Sequence, residues 1–186
     1  MFSVSEKRVL LQLARSALES AVNKVPIKKQ MNPSPNLLKP SGAFVTIRKG
    51  NTLRGCIGYL EPIKSLIDTI QEVTMKAALE DFRFLPVTSE ELDEIEIEVS
   101  VISPMTLISD CNDISIGEHG LMVEHGNYRG LLLPQVAIEF GWDKDTFLSH
   151  TLRKAGIPEN LWNSPKLKIF TFTAEIFSEQ HSTHSM

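Results

Sequence analysis

The residues of this chain that could do chemistry are few, and most fall in one stretch. Leu53-Arg54-Gly55-Cys56-Ile57-Gly58 puts a thiol, a guanidinium and two glycines within six residues. A thiol becomes a nucleophile where cations or oriented amides favour its ionised form. If the stretch is a strand, alternation places Arg54 and Cys56 on one face and Leu53, Gly55 and Ile57 on the other. Arg54 could then orient an anionic group or activate the thiol. Gly55 and Gly58 let backbone amides come close to a ligand and steady a developing oxyanion. Cys56 and Arg54 are therefore candidate catalytic residues, and Gly55 and Gly58 candidate substrate contacts. The plain alternative is that Cys56 is a small packed residue, as free cysteines commonly are.

Assisting groups are harder to pick. Histidine is the natural base, and His150 is expected on a helix close to Arg153 and Lys154. Glu98 is a candidate acid or orienting carboxylate, although the alternation of its strand also explains it as solvent-facing. His119 and His125 fall in turns, and His181 and His184 in a polar tail. Cys111 follows Asp110, whose charge disfavours a thiolate and makes Cys111 a poor nucleophile. Arg48 and Gln135 complete the substrate-binding candidates, Arg48 from a basic segment and Gln135 at the start of a helical turn. No phosphate-binding loop, dinucleotide fingerprint or nucleophile elbow is present. No Cys-x-x-Cys or His-Glu-x-x-His spacing points to zinc. Neither a cofactor nor a metal is expected.

Charge is unevenly spread. The net charge is −4, which does not suggest a polyanion binder. Yet no acidic residue lies between Glu19 and Glu61, and that interval holds Lys24, Lys28, Lys29, Lys39, Arg48, Lys49 and Arg54. It reads either as a solvated face or as a patch for phosphate, nucleic acid or an acidic partner. With 186 residues, one domain or two intimate lobes can bury a core without staples. Two cysteines fit a reduced interior better than a disulfide framework. The start of the chain lacks the basic and apolar pattern of a leader, and no apolar run reaches membrane length. A cytoplasmic protein with no membrane association is expected.

The elements that must position these residues can be read from periodicity. Apolar residues from Leu10 to Ala21 repeat at three and four, predicting a helix from about Ser5 to Asn23. Pro26, Pro33, Pro35 and Pro40 punctuate a basic loop over about 24–41. Ala43–Arg48 and Leu53–Ile57 read as a hairpin. A second helix follows, from Ile63 to about Leu79. Asp81–Val87 is a structured loop whose aromatic pair, Phe82 and Phe84, should pack on the core. Thr88-Ser89-Glu90-Glu91 is a capping box, and Ile95–Val101 the clearest half-buried strand. Ile114–Ile116, Leu121–Glu124 and Tyr128–Leu133 look like short strands. Asp143 should cap a helix over 144–155, and Lys166–Phe177 should form one long closing strand. A frayed tail from about 180 to 186 ends the chain. Mixed helices and strands without regular alternation predict an α+β fold with mainly antiparallel pairing.

Several motifs are not generic: Leu53–Gly58, Asp81 with Arg83, Phe84, Pro86 and Val87, Glu98–Val101, Gly130–Ala137, and Lys154–Gly156. In this order they resemble the AMMECR-one family, named for the AMME chromosomal region gene, over nearly the whole chain. Thr151 departs from it, standing where many members have a cysteine. The resemblance implies a single family domain of α+β fold, with two intimate lobes around an antiparallel sheet flanked by helices. It implies a cleft where the Arg-Gly-Cys motif meets the other lobe. It implies no reaction, but it brings a likeness to nucleotide- and nucleic-acid-binding folds. It also implies a shared modification pathway with a Memo-like protein and a radical SAM enzyme. Two readings stand. One is an enzyme using Cys56 on a nucleotide, an RNA base or a small metabolite. The other is a non-catalytic module that binds nucleic acid or protein. The exposed apolar turns leave a homodimer open in either case.

Overall fold

Ser3 sets where the chain first becomes helical. Its hydroxyl accepts the Glu6 N–H at 3.2 Å while the Glu6 carboxylate accepts the Ser3 N–H at 2.9 Å. This reciprocal cap satisfies donors that a helix start leaves unpaired. The computed structural model describes residues 1–27, 32–162 and 164–179. Helix α1 (Val4–Asn23) buries the expected stripe of Leu10, Leu13, Ala14, Ala17, Leu18 and Ala21. Strands β1 (Gly42–Lys49) and β2 (Thr52–Tyr59) form the expected hairpin. Helix α2 (Leu66–Leu79) begins later than expected, because Ser65 caps it by accepting the Asp68 N–H. Ile63 therefore lies outside the helix and is 76% exposed. A 3-10 helix (Ser89–Glu94) leads into β3 (Ile95–Ile102). Then come β4 (Thr106–Ile108), β5 (Gly120–His125), β6 (Tyr128–Leu132), α3 (Pro134–Glu139), α4 (Lys144–Lys154), β7 (Lys168–Phe172) and β8 (Ala174–Ser178).

These strands make two four-stranded sheets, ordered β2-β1-β3-β8 and β4-β7-β5-β6. The chain divides into two units to match. The first is Met1–Ile102 together with the chain from Glu175, and the second is Ser103–Ala174. The α+β class and the antiparallel pairing agree with the sequence. Two expected elements differ, and one strand is additional. Lys166–Phe177 is not one strand, for Thr173 interrupts it: the Thr173 N–H donates to Ser103 Oγ and its carbonyl accepts the Ser103 N–H, both at 2.9 Å. β7 then belongs to the second sheet and β8 to the first. Ile114–Ile116 forms no strand; Ile114 follows a 3-10 turn and is fully buried in the second core. β4 was not anticipated, because three residues are too few to show a period.

In the first unit, β1 and β3 send Val45, Ile47, Ile97 and Val99 into a core shared with α1 and α2, all fully buried. Burial of one such side chain contributes roughly 1.5–3 kcal/mol. Arg15 of α1 closes the far edge. It donates to the Leu92 and Ile95 carbonyls and to Glu179 just past β8, while Glu179 also accepts the Ile97 N–H. The proline-rich segment is anchored along α2, where the Lys39 and Leu37 carbonyls accept the Leu66 and Ile67 N–H groups. The second core gathers Leu121, Val123, Ala137, Phe147, Leu148 and Leu152. Among the described residues no helix is long and apolar enough to cross a membrane.

Candidate functional site

The register of the first sheet brings two sequence candidates into one row. In β1, Ala43, Val45 and Ile47 face the helices, so Phe44, Thr46 and Arg48 occupy the opposite face. Thr46 is paired with Cys56 on β2 and with Glu98 on β3. Cys56, Thr46 and Glu98 thus cross three strands in line. At about 4.8 Å per strand, the Cys56 and Glu98 backbones stand ~10 Å apart with Thr46 between them. The Thr46 hydroxyl donates to Cys56 Sγ at 3.4 Å. On either side lie Phe44, paired with Ser100 and Gly58, and Arg48, paired with Glu96. Thr46 and Ser100 are buried, while Cys56 and Glu98 are half-buried, so Glu98 is less exposed than alternation alone predicted.

β2 is an edge strand, and Cys56 shows how the edge is closed. Its N–H donates to Asp81 Oδ2 at 2.9 Å, and its carbonyl accepts from Arg83 Nη2 at 3.2 Å. Asp81 and Arg83 are themselves paired, at 2.9 and 2.7 Å. The pair stands where a neighbouring strand would stand, supplying one acceptor and one donor. Because both backbone groups of Cys56 point off the edge, Thr46 and Cys56 form the closely spaced type of cross-strand pair. That is why a hydroxyl and a thiol meet. The Arg83 guanidinium holds the Asp81 carboxyl down at about 2; burial opposes this, and the Cys56 and Arg83 N–H groups support it. The sequence expectation for this loop fails in one respect. Phe82 does not pack on the core but is 97% exposed, while Phe84 lies half-buried beneath the Arg83 guanidinium. Asp81 and Arg83 carried no role in the sequence reading. An acid and a base two residues apart, directly after a helix, was the available signal.

The remaining members of the motif are engaged in holding the fold. Between Ile47 and Arg48 the register with β2 slips, leaving Arg54 as the extra residue of a β-bulge. Such a bulge re-aims a side chain, which breaks the simple alternation that grouped Arg54 with Cys56. Arg54 forks onto Glu91 at 2.8 and 2.9 Å and donates to the Leu85 and Pro86 carbonyls. Arg54 in turn holds the Glu91 carboxyl down at about 2. A Cβ on Gly55 would stand 2.1 Å from the Ala77 carbonyl of α2, and one on Gly58 would stand 2.2 Å from the Phe44 ring. Both glycines are therefore required by close packing.

His150 and Gln135 belong to the second unit, whereas Cys56, Glu98, Arg54 and Arg48 belong to the first. The His150 ring stacks on Trp142 with centroids 3.9 Å apart, and Trp142 stacks on Phe140. Gln135 Oε1 is buried with no hydrogen-bond partner among the described residues. His119 Nδ1 accepts the Ser115 N–H, and His125 lies 3.3 Å from Ser164 Oγ. His181, His184, Lys28 and Lys29 lie outside the described residues, as does the expected tail. Burial pushes the Cys111 thiol up, with Asp110 and Asp145 adding to it. In the basic segment, Lys49 pairs with Glu94 and Arg54 with Glu91. Among the described residues no cluster of three His, Cys, Asp or Glu could hold a metal. A cavity of about 340 Å³ runs along the outer face of α1 between Arg8, Gln12, Arg15, Glu19 and Glu179. None of the candidate residues lines it.

Comparison with known proteins bears on all of this. The AMMECR1 family model matches residues 11–177. Protein TK0174 of Thermococcus kodakarensis is 42% identical over 183 residues, covering 92% of this chain and 89% of its own. A protein of Methanothermobacter thermautotrophicus is 43% identical, covering 95% and 96%. The crystal structure of Uncharacterized Protein PH0010 from Pyrococcus horikoshii superposes with a TM-score of 0.87 at 39% identity, covering 95% of this chain and 92% of that one.

Proposed function

Given that the chain belongs to the AMMECR1 family, we propose that it is a cysteine-dependent enzyme acting on a small polar molecule. The observation that carries this reading is the row Cys56–Thr46–Glu98 on the face of the first sheet opposite α1 and α2. A thiol and a carboxylate two strands apart are too distant to exchange a proton directly. On this reading a substrate group bridges them across Thr46, with Cys56 Sγ as nucleophile on one side and Glu98 as proton donor or acceptor on the other. The Thr46 hydroxyl orients the sulfur. The Asp81–Arg83 pair, bonded to the Cys56 N–H and carbonyl, fixes the backbone that carries it. Arg48, one row along, is suited to an anionic group of the substrate, so a nucleotide or a phosphorylated metabolite fits this reading.

A non-catalytic binding module is the second reading. Its support is that Arg54, Gly55 and Gly58 are all accounted for by packing and ion pairing. One measurement separates the two. Native protein is treated at pH 7 with a small alkylating agent, and the modified cysteine is identified by mass spectrometry. The enzyme reading expects Cys56 to react at least tenfold faster than Cys111, and Thr46→Val to change the Cys56 rate with no change in Cys111. An inert Cys56 in the folded protein sinks the catalytic reading and leaves the binding module.

A further inference from the structure

Apart from Met1, the two most exposed large apolar side chains among the described residues are Phe82 at 97% and Leu85 at 83%. They are not on a slack loop. Asp81 accepts the Cys56 N–H, and its carbonyl accepts the Phe84 N–H at 3.0 Å. Arg54 donates to the Leu85 and Pro86 carbonyls. Val87 is buried, and its N–H donates to the Ala78 carbonyl at 2.8 Å. Backbone bonds therefore bracket both side chains. Two large apolar groups held in water on fixed backbone are an unfavourable arrangement unless something covers them. Fixing them beforehand lowers the entropy lost when it does.

The surroundings say what kind of surface fits. Glu80 precedes Phe82 by two residues. Arg54 binds both the Leu85 carbonyl and Glu91, which puts the acidic 3-10 helix beside Leu85. Glu80, Glu90 and Asp93 are exposed, Glu80 also acting on Lys76 one turn back on α2. With the Arg83 charge taken up by Asp81, the apolar pair has an acidic rim. Two copies meeting through this patch would bring like charges together, and an anionic membrane would be repelled likewise. We infer that Phe82 and Leu85 form a docking knob for a different protein, one presenting an apolar pocket rimmed by lysine or arginine. The inference does not depend on whether Cys56 reacts.

The test uses the whole chain and a defined probe: a fluorescent 18-residue amphipathic helix with leucine on one face and lysine on the other. The control probe replaces lysine by glutamate. Fluorescence anisotropy is read for wild type, Phe82→Ser/Leu85→Ser and Ile63→Ser. Ile63 is also exposed but lies beyond the other end of α2, about 20 Å away along a helix of that length. The lysine probe is expected to bind wild type and Ile63→Ser alike, to bind the double variant at least tenfold more weakly, and to lose affinity as salt rises. The glutamate probe is expected not to bind. Unchanged unfolding temperatures show that the variants fold. The inference is overturned if the lysine probe fails to bind, if the double variant binds it as well as wild type, or if the glutamate probe binds equally. It is also overturned if sedimentation shows a wild-type dimer that the double variant dissolves, for the occupant is then a second copy.

Discussion

Asp81 joins two residues, Cys56 and Arg83, through one carboxylate. It accepts the Cys56 N–H, pairs with Arg83 and accepts the Arg83 N–H. Its carboxyl is lowered from the ordinary 3.8 to about 2, and the residue is only 6% exposed. A depressed acid stabilises the fold where it is ionised in both states, and the contribution disappears once both states are protonated. The contribution, on the order of 2 kcal/mol, is therefore present above about pH 4 and is lost as the pH falls through 2. Asp81→Asn keeps an acceptor for the Cys56 N–H but removes the charge facing Arg83. It is expected to unfold several degrees below wild type at pH 7, with the two melting curves converging between pH 4 and pH 2. A gap that stays constant over that range would show that the charge is irrelevant. At this scale the sequence was partly legible. Cys56 stood out because it sits near a guanidinium and between two glycines, while Glu98 was one carboxylate of an alternating strand. Thr46 did not stand out, because a β-branched residue in a strand needs no special reason. The face of Arg54 was not legible, because a bulge is a property of two paired strands and one strand's sequence does not show it.

Elements meet where small residues allow it. α2 approaches β2 so closely at Gly55 that a methyl group there would press into the Ala77 backbone. Backbone cannot step aside as a flexible side chain can. Gly55→Ala is thus expected to cost about 3 kcal/mol and to lower the unfolding temperature by roughly 10 °C, read by calorimetry. A loss under 1 °C would mean that the helix shifts freely. The Arg54–Glu91 fork ties the bulge to the 3-10 helix with both side chains mostly buried, at 16% and 17% exposure. Arg54→Ala leaves Glu91 without its cation and two carbonyls without a donor, an expected loss of about 3 kcal/mol. Arg54→Lys should recover less than half of it, since an ammonium cannot make the planar fork. Full recovery with lysine would reduce the contact to simple charge pairing. Two helix starts were legible here, because Thr88 and Asp143 each announce a cap within three residues, whereas the Ser65 cap of α2 went unread. The split between β7 and β8 was not legible. Every residue from Lys168 to Phe177 suits a strand, and what stops pairing at Thr173 is Ser103, seventy residues earlier.

At the scale of the molecule, the first unit is completed by chain that arrives after the second. β8 borders β3, Phe177 enters the first core, and Glu179 supplies the carboxylate for Arg15 and the acceptor for the Ile97 N–H. The sequence suggested two lobes but gave no sign of this return, because discontinuity depends on contacts far apart in the chain. A chain ending at Ala174 makes the arrangement testable. It loses a buried aromatic ring, worth about 3 kcal/mol or more. It strands a half-buried guanidinium and bares the edge of β3. Together these approach the 5–15 kcal/mol that holds a typical domain. The second unit, Ser103–Ala174, keeps its own core of Leu121, Val123, Phe147 and Leu152. Hydrogen exchange followed by NMR should therefore show protection lost at Leu10, Val45 and Ile97 and retained at Leu121 and Val123. Equal loss in both sets would mean that the units fold as one cooperative body. Equal retention would mean that β8 is dispensable, and that the Arg15–Glu179 contact contributes little to the first unit.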